Sequence, residues 1–570
     1  MIVQENRRLA NVKTRKEVGL DFVIQGLEIM TPFGRNELKE LEPFYPGEEE
    51  ELRKELNRVE NLINFAKRSS ALVNKLKEVF MEIKDPTKTL LKAEKSTLSV
   101  VELYEIKLLL LQMRAILEIT RDHSLSSYSS HCLTDENMDK GGEIDDEINI
   151  PEEFILEDTE DLLDILDPRH DRLNTFYIYE EFSEELGKLR LEKRNLEILI
   201  RKEQKEIKEK LRKEYGLELT PKFDIVISKS HDNFETIKNI PELEMVAEDY
   251  RSVTFELKKT GRVFEYQNGI QDIELKIEEE EERIREVLSR ELSKGKDRVL
   301  RNSIKIGKLE FTLAKALYAI KNDLVKPEIA NDHIIEIEDG KNIQVESILR
   351  EKGKDYTPIS ISLRDGVTVI TGANMGGKTI SLKLSGQVPV LTQYGFFVGA
   401  KKAKVGLSNF IQLLIGDSQS VERGLSSFGS EMEELKEILD HGQDRSLILI
   451  DEIASGTNPS EGTALTKSLV DYLIKKPYIS LITTHFETVT DKADVVNMQV
   501  TGLSNVDFEK LSREIQHKNR RERINIISKY MDYRLRRVDE KGQVPKDALN
   551  IATMLGLDLE IIEGAKKYIK

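Results

Sequence analysis

Apolar residues recur at helical spacing through the N-terminal region: Val23, Leu27 and Met30, then Leu62, Phe65, Leu72 and Leu76. Repeats at three and four residues place such side chains on one face of a helix. Pro32, Pro43 and Pro46 punctuate the runs. A helical core is therefore expected over residues 1–121. From Asp122 to Asp161 the period is lost, Ser, Gly and acidic residues dominate, and Lys140 is the only base between Asp135 and Asp161. Residues 122–161 read as an acidic loop.

Two long amphipathic patterns follow. Phe182, Leu186, Leu189, Leu196, Ile200 and Ile207 keep one seam, with Lys193 and Glu203 at its weak steps; Ile270, Ile273, Ile277, Ile284 and Leu288 keep a second. A seam repeating every ~3.5 residues lets two helices supercoil, so residues 162–330 are expected to form lever helices and an antiparallel arm. The strand-like runs Asp224–Ser228 and Val253–Leu257 would cap its tip. Pattern alone does not separate such an arm from a helical bundle. Beyond Val345 short apolar runs alternate with Gly-rich turns and helical stretches, the texture of a parallel sheet with crossover helices. An α/β domain is expected over 331–505 and a C-terminal helical segment over 506–570.

The chemistry lies in the α/β part. Gly372 to Thr379 spell G-x-x-x-x-G-K-T directly after the apolar run Val367–Ile370 and before a helical pattern, the strand, loop and helix context of a phosphate-binding loop. Glycines let backbone amides curl around a phosphate, the helix N-terminus adds positive potential, Lys378 reaches the β and γ oxygens, and Thr379 can ligate magnesium. A second apolar run, Leu447–Ile450, ends in Asp451 and Glu452. A buried parallel strand presents such carboxylates at its C-terminal edge, where ligands bind in open α/β sheets. Asp451 is expected in the magnesium shell, and Glu452 to orient and deprotonate an attacking water. A third short strand, in LITTHF, brings His485 within reach of the γ-phosphate or that water. ATP and Mg2+ are the ligands this set implies.

Composition narrows the partners. Asp and Glu outnumber Lys and Arg by 104 to 87, a net charge of -17, so a polyanion has to be met by a local basic patch. Bases cluster at Lys188–Arg194, Arg201–Lys213 and Lys518–Arg523, with glutamates interleaved in the first two. Cys132 is the only cysteine, which excludes an intrachain disulfide and a cysteine-based zinc site. No apolar run approaches the ~20 residues of a membrane helix and the N-terminus lacks an apolar signal core, so a cytoplasmic protein with no membrane partner is expected.

The segments TGANMGGKT (Thr371–Thr379), GLSSFGSEM (Gly424–Met432), DEIASGTNPSEGTAL (Asp451–Leu465) and TTH (Thr483–His485) resemble the four ATPase motifs of the MutS family, in order and at similar spacing. The resemblance implies an α-helical core and lever with a coiled-coil clamp arm, followed by an ABC-type α/β P-loop ATPase domain. It carries Gly372, Ala373, Asn374, Met375, Gly376, Gly377, Lys378 and Thr379 over as phosphate-loop positions, with Asn374 and Met375 touching nucleotide. The family's Ser-Thr-Phe loop corresponds to Ser426, Ser427 and Phe428, with Ser in place of Thr. That loop is implied to cross a dimer interface to the partner's γ-phosphate, so Ser427 is expected to act in a second copy's site, although a chain of related sequence could stand in for that copy.

Thr31–Phe44 resembles the core and Ala548–Ile569 the closing helix-turn-helix of the family, a dimerisation element. GTNPSEGTAL is closer to the branch whose members usually end in a Smr nuclease domain. The chain opens in core-like helices, its Phe-x-Glu occurrences at Phe80 and Phe182 sit in helical runs, and no Smr domain follows Lys570. Base-mismatch reading and nicking are therefore not expected. Two clients stay open: duplex or branched DNA held by paired clamps in repair or recombination, or a client protein, as for a MutS-like reactivation factor of a cobalamin-dependent lysine aminomutase.

Overall fold

The computed structural model describes residues 9–129, 150–372, 377–416, 427–454, 456–486, 494–503, 506–516, 518, 520–538 and 547–568. They fall into two compact units: the described parts of 1–81, 122–155 and 306–570, and those of 82–121 and 156–305. The fold is a mixture of helical and α/β structure.

The chain starts with α1 (Val12–Glu17), α2 (Leu20–Gln25), α3 (Pro32–Lys39), α4 (Glu49–Arg68) and α5 (Ser70–Glu82). Asn11 caps α1 through the Thr14 amide and Thr31 caps α3 through the Gly34 amide, each side chain satisfying an amide that the first helical turn leaves unpaired. In α4 the buried residues Leu52, Leu56, Val59, Leu62, Ile63 and Ala66 form the apolar stripe that the sequence marks only in part.

The second unit contains α6 (Thr87–Lys92), α7 (Val100–Ser129) as far as Arg121, α8 (Glu160–Leu166) and α9 (Glu184–Tyr215), then β1 (Asp224–Ser228), α10 (Phe234–Lys238), β2 (Leu243–Glu248), β3 (Ser252–Leu257) and α11 (Gly261–Lys321) as far as Lys305. Helix α7 runs to Ser129, past Asp122, where the sequence pattern ends, and Asp161 lies inside α8; the expected acidic loop is thus helical at both margins, and residues 130–149 lie outside the described set.

Helices α9 and α11 run antiparallel, with ion pairs Arg190–Glu281 at 2.8 Å, Lys193–Glu274 at 2.7 Å and Arg262–Glu203 at 3.8 Å ordered along them. Leu186, Leu189, Ile273, Ile284 and Leu288 are buried, and Lys193 and Glu203, the polar steps, are among the residues that pair between the two helices. Gly216, at φ +68°, ends α9 in the left-handed turn that glycine makes at least cost. Beyond it β1, β3 and β2 form an antiparallel three-stranded sheet over Leu211, Ile227, Ile237, Val253 and Phe255.

The rest of the first unit holds β4 (Glu328–Ala330), β5 (Ile334–Gly340), α12 (Ile343–Glu351), β6 (Ile359–Arg364), β7 (Gly366–Thr371), α13 (Gly377–Gln393), β8 (Lys402–Gly406), β9 (Phe410–Ile415), α14 (Ser427–His441), β10 (Ser446–Asp451), α15 (Pro459–Ile474), β11 (Tyr478–Thr483), β12 (Val495–Gly502), α16 (Phe508–Ile515), α17 (Arg520–Tyr530), β13 (Asp532–Arg537), α18 (Asp547–Leu555) and α19 (Leu559–Tyr568). Six strands pair in the order β13-β12-β7-β11-β10-β9, all parallel except β13; a four-stranded sheet has the order β4-β8-β5-β6. Successive side chains leave a strand on opposite faces, so Leu447 and Leu449 join one core with Leu382, Leu384 and Leu481, while Ile448 and Ile450 join another with Leu435, Leu469 and Leu473. Burial on both faces explains why these strands read as unbroken apolar runs.

The first core also takes Leu9, Val18, Leu20 and Val23 from the N-terminal segment. The backbone N–H of Ile411 donates to Leu9 O at 2.7 Å and that of Leu413 to Thr14 Oγ1 at 3.1 Å, so the start of the chain covers the β9 edge of the six-stranded sheet. The C-terminal segment, expected to be helical, contributes β13 to the other edge. Among the described residues no helix is long and apolar enough to cross a membrane.

Candidate nucleotide site

Strand β7 ends at Thr371 and the chain turns at Gly372 with φ +136°, a conformation closed to side-chain-bearing residues. A Cβ there would lie 3.3 Å from Cβ of Val500. The chain re-enters at Gly377, the first residue of α13, where a Cβ would meet Tyr533 and Val500 at 3.2 Å. Ala373, Asn374, Met375 and Gly376 lie outside the described residues.

Helix α13 delivers two groups to the end of β10. The Lys378 ammonium, almost fully buried, donates to Gly372 O at 3.0 Å and pairs with Glu452 Oε1 at 2.8 Å. One residue on, Thr379 Oγ1 donates to Asp451 Oδ2 at 2.8 Å. The other oxygen of Asp451 accepts from Thr483 Oγ1 at 2.5 Å, a consequence of parallel register that sets Asp451 beside Thr483. The backbone N–H of Glu452 donates to both Thr483 O and Thr483 Oγ1 at 3.1 Å. Glu452 and Ala454 adopt φ of +49° and +58°, left-handed geometries that are uncommon outside glycine and concentrate at functional sites. The turn is held from a third side: the Ala454 N–H donates to the Glu431 carboxylate of α14 at 3.2 Å.

His485 follows β11 by two residues, is exposed and lies against Phe486, the ring centroids 4.3 Å apart and the planes tilted by 45°. The Thr484 N–H beside it donates to Ile370 O at 3.1 Å, tying this segment to the end of β7. Ser427 opens α14, and Ser426 and the Ser427 side chain lie outside the described residues. Of the residues singled out by sequence, the structure brings together Gly372, Lys378, Thr379, Asp451 and Glu452 and sets His485 at the end of the neighbouring strand. Thr483 and Glu431 lie inside the TTH and GLSSFGSEM segments, but neither carries a predicted role; a further signal for Glu431 is its place on an apolar face, four and seven residues before Leu435 and Ile438.

A hydroxyl and a carboxylate oxygen 2.8 Å apart form a hard oxygen donor set. Magnesium takes one or two such protein ligands and completes its shell with water and phosphate oxygens. Thr379 and Asp451 fit that ion, and a cluster of three or more acidic or His ligands, which the described residues lack, is not needed for it.

Residues 368–569 match the family model described as MutS domain V. Three relatives are each named Endonuclease MutS2: from Fusobacterium nucleatum subsp. nucleatum, 32% identical over 53% of this chain; from Caldanaerobacter subterraneus subsp. tengcongensis, 30% over 54%; and from Clostridium tetani, 33% over 53%. The matched stretch covers 36% of the length of each relative.

Proposed function

The chain belongs to the MutS family, and on that premise we propose that it is an ATPase whose nucleotide sites are completed by a second copy and whose helical arm holds DNA. The observation that carries the first part is the meeting of Lys378 and Thr379 with Glu452 and Asp451 at the end of β10. In this reading Lys378 exchanges Glu452 for the β and γ oxygens of ATP, and the freed Glu452 carboxylate takes a proton from the water that attacks the γ-phosphorus as the bond from that phosphorus to the bridging oxygen breaks and ADP leaves. Thr379 and Asp451 would hold a magnesium ion, which would supply charge neutralisation at the phosphates. His485 donates to the γ-phosphate or the attacking water, and Asn374 and Met375 line the nucleotide. Ser427 of each copy serves the opposite site, adding a donor where charge develops.

The DNA part rests on the arm. Many of its bases are neutralised by glutamates, but Arg201, Lys202, Lys205 and Lys213 of α9 make no ion pair among the described residues. Unpaired cations within about three helical turns suit a phosphate backbone. A client protein is the second reading, favoured by Met245 and Val246 of β2 and Tyr250 of the turn after it, all exposed. ATP hydrolysis with and without duplex and branched DNA, over a salt series, tests the choice. DNA-stimulated turnover that fades steeply with salt supports the DNA reading; ATPase indifferent to DNA at physiological salt overturns it and favours a protein.

A further inference from the structure

Glu431 is a carboxylate buried to 8% exposure in the first turns of α14. Its hydrogen-bond partner among the described residues is the Ala454 N–H, which lies 3.2 Å from one carboxylate oxygen and 3.3 Å from the other. Burial raises its pKa, and Glu434 adds to the shift. A buried carboxylate with one neutral donor is costly to keep, so its place invites a role beyond packing. The group it holds is specific: Ala454 closes the left-handed turn that begins at Glu452, two residues earlier. Thr483 fixes the front of that turn through the Glu452 N–H, and Glu431 fixes the back.

Helix α14 starts at Ser427, and Glu431 is one helical turn further on. One short rigid element therefore joins the residue assigned above to the partner's nucleotide with the residue that pins this copy's own Glu452 turn. We propose that Glu431 is a positioning residue that couples the two nucleotide sites of the dimer, transmitting the seating of α14 against the partner to the aim of Glu452 in its own protomer. The inference rests on the composite-site ATPase reading. A displacement of α14 that loosens the bond to Ala454 N frees a strained turn to relax, and Glu452 no longer faces the water it is to deprotonate.

The test is steady-state ATPase of the full chain and of Glu431→Ala, Glu431→Gln, Ser427→Ala and the Ser427→Ala/Glu431→Ala double variant, with fluorescent-ADP affinity and melting temperature alongside. Glu431→Ala is expected to lower kcat about tenfold or more, with KM and nucleotide affinity within about twofold, because the turn and not the phosphate loop is disturbed. Glu431→Gln keeps an acceptor oxygen for Ala454 N and is expected to recover most of the rate. The double variant is expected to fall little below the slower single variant, the non-additivity of residues acting as one unit. If Glu431→Ala melts early, Glu431→Met fills the same space without an acceptor and replaces it. Full activity without the acceptor, equal loss in Glu431→Gln, or multiplying losses in the double variant overturns the proposal. No turnover in the unmodified chain removes the ATPase reading itself and the inference with it, a result distinct from the other three.

Discussion

Lys378 Nζ lies 2.8 Å from Glu452 Oε1, with the lysine side chain 4% exposed and the glutamate 29%. The lysine that would grip phosphate and the carboxylate that would activate water hold each other, so binding of the one ligand and release of the base become a single event. Lys378→Ala is expected to abolish measurable hydrolysis, a loss of about 10²-fold or more, and to weaken nucleotide binding. Glu452→Gln is expected to lower kcat by about 10² to 10⁴-fold, the range for a lost general base, while ATP affinity holds or improves because Lys378 loses its charged competitor. Single-turnover hydrolysis and equilibrium nucleotide binding check both; ordinary turnover in either variant contradicts the roles.

Ser427→Ala is expected to lower the ATPase rate of the dimer by about 10²-fold, as for one lost transition-state donor, with nucleotide affinity of dilute protomer unchanged. Mixing Ser427→Ala chains with Lys378→Ala chains should restore part of the rate, because each mixed dimer retains one intact composite site. The rate of the mixture against that of each variant alone is the measurement, and a mixture no faster than its components counts against a site shared between copies.

Much of this site is visible in the sequence because its parts are local. The glycine turn at Gly372, the lysine and threonine opening α13, and the acids ending β10 each sit within a few residues of the strand or helix that aims them. What joins them is not local. The Glu431–Ala454 bond depends on a helix packing beside a strand, and no spacing encodes it. Helical periodicity finds the apolar face of the N-terminal helices but not their partner, and so misses that Leu9 to Val23 complete the core of the α/β sheet. Strand β13, DYRLRR, is short, charged and at an edge, where one face stays in water and the apolar signal of a strand is weak. Helix α7 runs past Asp122 through serines and charged residues that carry little apolar period.

Lys202→Glu together with Lys205→Glu on α9 is expected to weaken duplex binding and reduce the slope of log affinity against log salt by about one per lysine. Basal ATP hydrolysis should be unaffected. A salt titration by fluorescence anisotropy reads both affinity and slope, and unchanged binding excludes this face as a phosphate track.

His333 joins three turns of the first unit: Nδ1 lies 2.7 Å from Asp365 Oδ1 and Nε2 lies 3.2 Å from Ser408 Oγ. Burial lowers its pKa, which Asp365 opposes and Arg445 reinforces. A folded-state pKa below the unfolded value, ~6.5 for histidine, means that the unfolded chain binds the extra proton more readily. The neutral ring therefore contributes full stability above about pH 6.5, and that contribution is lost as pH falls through the unfolded value toward the folded one. Melting temperature should drop between about pH 7 and pH 5.5, and His333→Gln, which cannot titrate, should flatten that part of the profile. A profile of the same slope in both proteins contradicts the assignment.

Sedimentation of the Glu452→Gln chain with saturating ATP and magnesium tests the central claim most directly, because slow cleavage holds the composite state long enough to weigh it. The mass of two chains is expected with ATP, and a shift toward one without nucleotide. A single-chain mass at saturation, alongside undiminished turnover by the unmodified protein at equal dilution, would contradict it.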